Sequence, residues 1–258
     1  MTEKAFAKIN LFLSVGKKRP DGYHHIDTVM HTVSLYDEVL FEKCHTLRVF
    51  CDMDVPEKEN LAYKAAQAFF EYTGITPSVK ITVKKLIPSK AGLGGGSADA
   101  AAVLRGLNKM YKAGLDTQTL VRIGAPLGAD IPFCVYGGKA RCGGIGDIVT
   151  PMEKEKLFLA IVKPDADCPT GKMYALLDEQ ERETVLYKEN LFFNSFDAVC
   201  PEECKQAVKR LLALGASKAM LSGSGSAVFG VFSTEEQANN AAKTLEKEYP
   251  FSVCAYTI

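Results

Sequence analysis

The sequence predicts an α+β protein of two domains, and three features carry that expectation. Alternating apolar and polar residues mark strands at both ends of the chain, over Ala5 to Val15 and over Phe251 to Thr257. A glycine-dense stretch, Gly92-Leu-Gly-Gly-Gly-Ser97, stands between a strand-like segment and a helix-like one. After Pro151 the elements read strand, helix, helix, strand, strand, helix, strand, which suits a ferredoxin-like antiparallel sheet with helices on one face. Pro151 is therefore the expected boundary between domains at residues 1–150 and 151–258. A chain of 258 residues accommodates two modest cores or one large one.

Composition narrows the function classes. Hydrophobic content of 47% and charged content of 24% are ordinary for a soluble globular protein. Lys plus Arg equals Asp plus Glu, 31 against 31, which argues against nucleic acid as a main partner. No apolar run reaches transmembrane length. The opening Met-Thr-Glu-Lys-Ala has the marks of neither a secretory leader nor a transit peptide, so a cytoplasmic protein without a membrane partner is expected. It is expected to act as a monomer or weak homodimer. The eight cysteines form no CxxC pair and are read as reduced, mostly buried thiols. Cys200 and Cys204 are one helical turn apart, but with no paired His or second Cys cluster nearby a metal site is disfavoured.

In Ala5 to Val15, Lys8 and Asn10 fall two residues apart and project from one strand face, as functional groups or as a polar hairpin edge. Lys17-Lys-Arg-Pro-Asp-Gly22 is a turn, and Tyr23-His24-His25 follows it. A tyrosine and two histidines in that place either hold a planar base or cap a core. A second long strand is predicted over Val29 to Glu42, broken near Leu35-Tyr-Asp-Glu38, and a third over Leu47 to Cys51. Asn60 to Tyr72 has helical spacing and stops at Gly74. Val79 to Lys85 alternates as a half-buried strand.

That strand leads into Pro88-Ser89-Lys90-Ala91-Gly92-Leu93-Gly94-Gly95-Gly96-Ser97-Ala98. Glycines let backbone N–H groups turn toward one point, at a cost in entropy that a plain turn does not require. Ser97 to Leu107 then reads as an Ala-rich helix with Val103, Leu104 and Leu107 on one stripe. A glycine loop opening into a helix N-terminus is an anion site, because unpaired N–H groups and the positive dipole end converge there. Ser97 is placed to cap the helix or to reach a phosphate-bound metal, and Lys90 adds a movable positive charge. The loop is not a Walker loop, since no Gly-Lys pair is followed by Ser or Thr. It is not a dinucleotide loop either, since Ser97 stands where the third glycine belongs. Protein-kinase HRD and DFG triplets do not occur.

Thr117 to Leu127 reads as a helix, followed by Gly128-Ala-Asp130-Ile-Pro-Phe133. Asp130 either caps the next element or stands as a carboxylate able to accept a proton. Phe133 to Tyr136 and Lys139 to Cys142 are expected to form a hairpin across Gly137-Gly138. Leu157 to Lys163 is an apolar strand. Pro169-Thr170 starts a helix through Leu177, with Thr170 as cap or ligand hydroxyl. Asp178 to Lys188 is charged and without pattern. Glu202 to Leu214 is an amphipathic helix, Ala219 to Leu221 leads into a second glycine turn at Ser222-Gly-Ser-Gly-Ser226, and Ala227 to Phe232 leaves it as a strand. Glu235 to Tyr249 is the last helix.

Five pieces coincide in order: Ala7-Lys8-Ile9-Asn10-Leu11, Arg19-Pro-Asp-Gly-Tyr-His24, Pro88 to Ala98, Gly128-Ala-Asp-Ile-Pro132 and Ser222-Gly-Ser-Gly225. Over nearly the whole chain the set resembles the GHMP family of small-molecule kinases, and within it the branch that acts on a CDP-linked methylerythritol. The resemblance implies an N-terminal ribosomal-protein-S5-domain-2-like domain and a C-terminal ferredoxin-like domain, with ATP and Mg²⁺ as cofactors. It implies that Lys8 and Asp130 are the catalytic pair, that Asn10 orients the substrate, and that Tyr23 and His24 belong to the cytidine pocket. Thr170 and Tyr174 would close that pocket, and Pro88 to Ala98 would hold the ATP phosphates, with Ser97 toward the metal. A GHMP kinase for homoserine or a mevalonate derivative is the same-class alternative, although those acceptors offer no base for Tyr23. A non-catalytic nucleotide-binding relative would be expected to lose Lys8 or Asp130, and both are present.

Overall fold

The computed structural model describes residues 1–52, 55–181 and 184–258. These residues form two compact units made of non-contiguous pieces. The first unit comprises Met1–Ala7, Leu35–Ile87 and Gly94–Gly137, and the second Lys8–Ser34, Pro88–Leu93 and Gly138–Ile258. Two long strands, β1 (Thr2–Lys18) and β2 (His24–Lys43), contribute to both. The expected break in the second strand near Leu35 to Glu38 does not occur. β2 continues through it as strand, and Asp37 there is fully buried.

In the first unit, β3 (Arg48–Cys51) lies parallel to β4 (Val79–Lys84), and β4 lies antiparallel to the later part of β2. Val39 faces Val83 and Phe41 faces Ile81 across that pairing. These apolar positions, two residues apart, turn to one side and meet α1 (Leu61–Thr73) and α2 (Gly95–Met110). Asn60 starts α1 by accepting a 2.9 Å hydrogen bond from the Ala62 N–H, and Gly74 ends it with φ of 68°. Small residues let α2 lie close to the sheet. A Cβ on Gly106 would come within 2.2 Å of the Phe41 ring.

Two short helices, α3 (Thr117–Gly124) and α4 (Ile131–Tyr136), complete this unit. Residues 133–136 are therefore helical and do not form the first arm of a hairpin. Pro132 occupies the first turn, where its missing N–H needs no partner, and Gly137 with φ of 70° closes the helix.

In the second unit, β5 (Lys139–Gly143) pairs with the early part of β2 and with β6 (Ile148–Met152). Pro151 lies inside β6 opposite Ala140, and the chain leaves the first unit earlier, between Gly137 and Gly138. The remaining strands are β7 (Phe158–Lys163), the two-residue β8 (Phe193–Asn194) beside β1, then β9 (Lys218–Leu221), β10 (Val228–Phe232) and β11 (Phe251–Tyr256). The second sheet runs β11-β7-β10-β9 and is antiparallel throughout. That is the ferredoxin-like order expected from the sequence, with α6 (Glu202–Ala213) and α7 (Glu235–Leu245) packed on it. α5 (Thr170–Asp178) follows β7. In the charged stretch from Asp178 onward, Arg182 and Glu183 lie outside the described residues. Cys142, Cys168, Cys200 and Cys204 are buried, and among the described residues no two cysteines are joined in a disulfide. Among the described residues no helix is long and apolar enough to cross a membrane.

Candidate active site

The alternation of β1 puts Lys8 and Asn10 on one face, and both are buried. The Lys8 ammonium donates to Asn10 Oδ1 at 2.7 Å, Asn10 Nδ2 donates to the Thr28 hydroxyl at 2.8 Å, and Thr28 donates to the Phe12 carbonyl at 2.6 Å. A buried ammonium is costly unless its donors are used, and this relay fixes its direction. The polar-edge alternative for these two residues is thereby excluded.

The glycine loop follows β4. Lys90, Gly92 and Gly94 have φ of 52°, 72° and 70°, a left-handed conformation at every second residue. Such alternation makes backbone N–H groups converge on an anion. Four consecutive carbonyls of the loop are turned into protein. Lys90 O accepts from Ser226 N–H, Ala91 O from Ala227 N–H, Gly92 O from the Ser222 hydroxyl and Leu93 O from Lys8 N–H. A Cβ on Gly92 would stand 2.0 Å from the Ser222 carbonyl oxygen, so no side chain fits there. Leu93 and Ala98 are buried, Ser89 and Lys90 exposed, and Pro88 half-buried.

Gly94 is the N-cap of α2, so Ser97 is the third residue of the helix and does not cap it. In the same unit, Gly128 lies beside Ser97, whose hydroxyl is 3.9 Å from where a Gly128 Cβ would be, with Ile131 Cδ1 at 3.5 Å. Asp130 occupies the N-cap position of α4 but makes no capping hydrogen bond with its side chain, which removes the capping explanation for this carboxylate. Lys8 belongs to the second unit and Asp130 to the first.

The residues expected at a base pocket come from the turn before β2 and from α5. Asp21 accepts from the Tyr23 N–H at 3.1 Å, and Gly22 takes φ of 87°, which together shape the turn. Tyr23 is 60% exposed, whereas His24 is buried. His24 Nε2 lies 2.8 Å from Asp178 Oδ1, and its ring stacks on Tyr174 with centroids 4.8 Å apart. Tyr174 and Asp178 are one turn apart on α5 and so grip His24 from one helix face. Phe196 meets Tyr174 edge-on at 5.0 Å. Thr170 is the first residue of α5, and its hydroxyl lies 3.2 Å from that of Ser224 in the second glycine turn.

Sequence reading missed three residues. Asp178 stands at the start of a segment without pattern, although its i+4 relation to Tyr174 was a usable signal. Asn194 donates from Nδ2 to both Leu221 O and Gly223 O at 2.9 Å, and Asp197 accepts from Leu221 N–H at 3.1 Å. Burial pushes the Asp197 carboxyl up to about 6, against the pull of that N–H.

The models of the GHMP kinases N-terminal and C-terminal domains match residues 60–138 and 174–250. The chain is 38% identical to a 4-diphosphocytidyl-2-C-methyl-D-erythritol kinase from Thermodesulfovibrio yellowstonii, over 95% of this chain and 94% of that one. The chain belongs to the GHMP kinase family. Within it the chain is similar to a solved 4-(cytidine 5'-diphospho)-2C-methyl-D-erythritol kinase, with 33% identity, a TM-score of 0.89 and coverage of 100% and 99% of the two chains. A homoserine kinase from Cytophaga hutchinsonii shares the fold, with a TM-score of 0.71 at 16% identity, covering 100% of this chain and 94% of that one. As a GHMP kinase the chain is an ATP-using phosphotransferase for a small molecule. Its loop suits the nucleotide, since glycines at Gly92 and Gly94 supply the conformation that phosphate approach needs.

Proposed function

We propose that this GHMP kinase transfers the γ-phosphoryl group of ATP to the 2-hydroxyl of 4-diphosphocytidyl-2-C-methyl-D-erythritol, giving the 2-phosphate and ADP in the non-mevalonate route to isoprenoid precursors. The observation that carries the reading is the near-full-length identity to kinases of that name, against a homoserine kinase that shares little beyond the fold.

Phosphoryl transfer needs positioning and neutralisation of spread negative charge more than covalent help. Asp130 accepts the proton of the acceptor hydroxyl as that oxygen bonds to the γ-phosphorus and the bond to the bridging oxygen breaks, releasing ADP. Lys8 neutralises charge on the transferred group, and Asn10, bonded to it at 2.7 Å, holds its ammonium in direction. Pro88 to Ala98 cradle the nucleotide phosphates. Tyr23, His24, Thr170 and Tyr174 receive the cytidine, with Asp178 holding the His24 ring.

A magnesium ion, when bound, neutralises phosphate charge, and Ser97 is the side chain that would hold it beside the nucleotide oxygens. Among the described residues no group of three or more His, Cys, Asp and Glu forms a cage, which suits an ion that keeps its waters and binds mainly through phosphate. The reading includes a cytoplasmic enzyme, a monomer or weak homodimer, with no nucleic-acid or membrane partner.

A coupled ADP-release assay with Mg-ATP tests the reading. Turnover on the CDP compound is expected to exceed that on homoserine or mevalonate. Asp130→Asn is expected to lower it about 10²-fold or more, the range for a positioned acid–base group. Turnover on another acceptor, or none with ATP still bound, would replace it.

A further inference from the structure

The segments that flank the phosphate loop in sequence carry a buried ionic cluster that the chemistry above does not use. Lys85 follows β4, Asp37 lies in the middle of β2, and Asp99 is the fifth residue of α2. All three belong to the first unit. The Lys85 ammonium donates to Asp37 Oδ2 at 2.5 Å and to Asp99 Oδ2 at 2.6 Å. The other oxygen of Asp37 accepts the backbone N–H groups of Leu86 and Ile87, at 2.5 and 2.7 Å. Those are the last two residues before Pro88. A Cβ on Gly95, the first residue of α2, would lie 3.1 Å from Ile87 Cγ2 and 3.3 Å from the Lys85 ammonium.

We infer that Asp37, Lys85 and Asp99 form a staple that holds the strand leading into the phosphate loop and the helix leading out of it at the spacing nucleotide binding requires. This makes them positioning residues for the nucleotide, and the inference rests on the loop being the ATP site.

Three observations support it beyond ordinary structural pairing. The carboxylates are almost fully buried, Asp37 at 0% and Asp99 at 4% exposure, so the cluster sits where charge is most expensive to keep. A hydrophobic trio would hold a strand to a helix as well, but it would not direct two successive backbone N–H groups at a fixed point. The count is also unbalanced, with two carboxylates on one ammonium. Asp99 Oδ1 is buried and has no hydrogen-bond partner among the described residues. Burial pushes the Asp99 carboxyl up to about 7, against the pull of Lys85 and with Asp37 adding to the rise. Burial lowers the Lys85 ammonium, but the carboxylates of Asp99 and Asp37 hold it above its ordinary value. Asp52, which accepts the Lys85 backbone N–H at 3.2 Å, is the further carboxylate at this corner and is exposed. The cluster therefore keeps an incompletely satisfied carboxylate in the first turns of the helix that faces the nucleotide. Packing alone gives no reason for this, and a geometric role does.

The test is calorimetric titration of the full chain with MgADP, which needs no acceptor, combined with steady-state kinetics. Asp99→Asn keeps the size of the side chain and leaves Lys85 paired with Asp37. It is expected to melt near the parent and to weaken MgADP binding about tenfold, the scale of losing one well-organised contact. KM for ATP should rise in step, while kcat and KM for the acceptor stay within about threefold. Lys85→Met should weaken nucleotide binding further, and Lys85→Arg should recover part of the loss. Unchanged MgADP affinity in a folded Asp99→Asn would overturn the inference. So would failure of that variant to fold, which would make the residue structural. If the acceptor named above is wrong, the parent will show no turnover on it while the nucleotide titrations remain intact, so the two failures are distinguishable.

Discussion

Two glycine-rich turns, Gly92 to Gly96 and Ser222 to Ser226, look alike in sequence and do different work. The first opens into α2, so its glycines place N–H groups at a helix N-terminus. The second joins β9 to β10, with no helix after it, and it meets the chain before the first turn's helix mainly through backbone groups. Ser222 bonds Gly92 O, and the N–H groups of Ser226 and Ala227 bond Lys90 O and Ala91 O. The second turn is thus a template on which residues 90–92, at the entry to the first, are formed. A glycine cluster is an anion site only when donors converge behind it. Otherwise glycine serves close approach.

If that contrast is right, the largest effect belongs to Gly92→Ala. The new Cβ would meet the Ser222 carbonyl at 2.0 Å in a residue with φ of 72°. The expected cost is about 3 kcal/mol or more, from overpacking plus left-handed strain, with loss of ATP turnover. Gly96→Ala is the internal control, because its nearest neighbour is Leu61 Cδ1 at 3.4 Å and its φ is not positive. Urea unfolding of both variants should show a large shift for the first and little for the second. Equal shifts would erase the distinction.

Next comes the support beneath the second turn. Asn194→Ala deletes donors to Leu221 O and Gly223 O, leaving two buried carbonyls without that partner. A loss of about 2–4 kcal/mol is expected by chemical denaturation. KM for ATP should rise as well if the second turn templates the first. Stability loss with an unchanged KM would reduce the turn to scaffold.

The smallest effect is a pH slope. Asp197 sits just before this turn's strand contacts, and its folded-state carboxyl is raised to about 6 by burial. The native state therefore holds a proton that the unfolded chain releases near pH 4, so this group's contribution is full below about 4 and is lost as pH rises through about 6. Thermal melts between pH 4 and 7 should show that decline in the parent and a flatter profile in Asp197→Asn. An unchanged slope would assign it to another group.

Strand, loop and helix around Pro88 to Ala98 were legible because each rests on local backbone preference. The ferredoxin-like order after β7 was legible for the same reason, as periodicity separates its strands from its helices. Residues 133–136 misled because a short apolar run carries no period, and Pro132 with Gly137 defines a one-turn helix as readily as a hairpin arm. Pro151 misled because proline is tolerated in a strand such as β6 where its missing N–H is not needed. The pairing of Lys8 with Asn10 was legible from strand alternation, being two residues apart. Asp37 in an uninterrupted strand was not, since a buried charge at a strand centre makes sense only once Lys85 is beside it.

By itself the sequence determined the local devices: where glycines let the backbone turn, where a helix begins behind them, and which side chains share a strand face. Dihedral freedom and residue spacing act over a few positions, so they can be read in one dimension. Only the tertiary structure decided the partners. His24 meets Asp178 across 154 positions, Lys85 meets Asp37 across 48, and the Ser222 hydroxyl reaches Gly92 across 130. Buried charges and carbonyls must be satisfied by whatever the fold brings to them, and sequence spacing does not encode which residues those are.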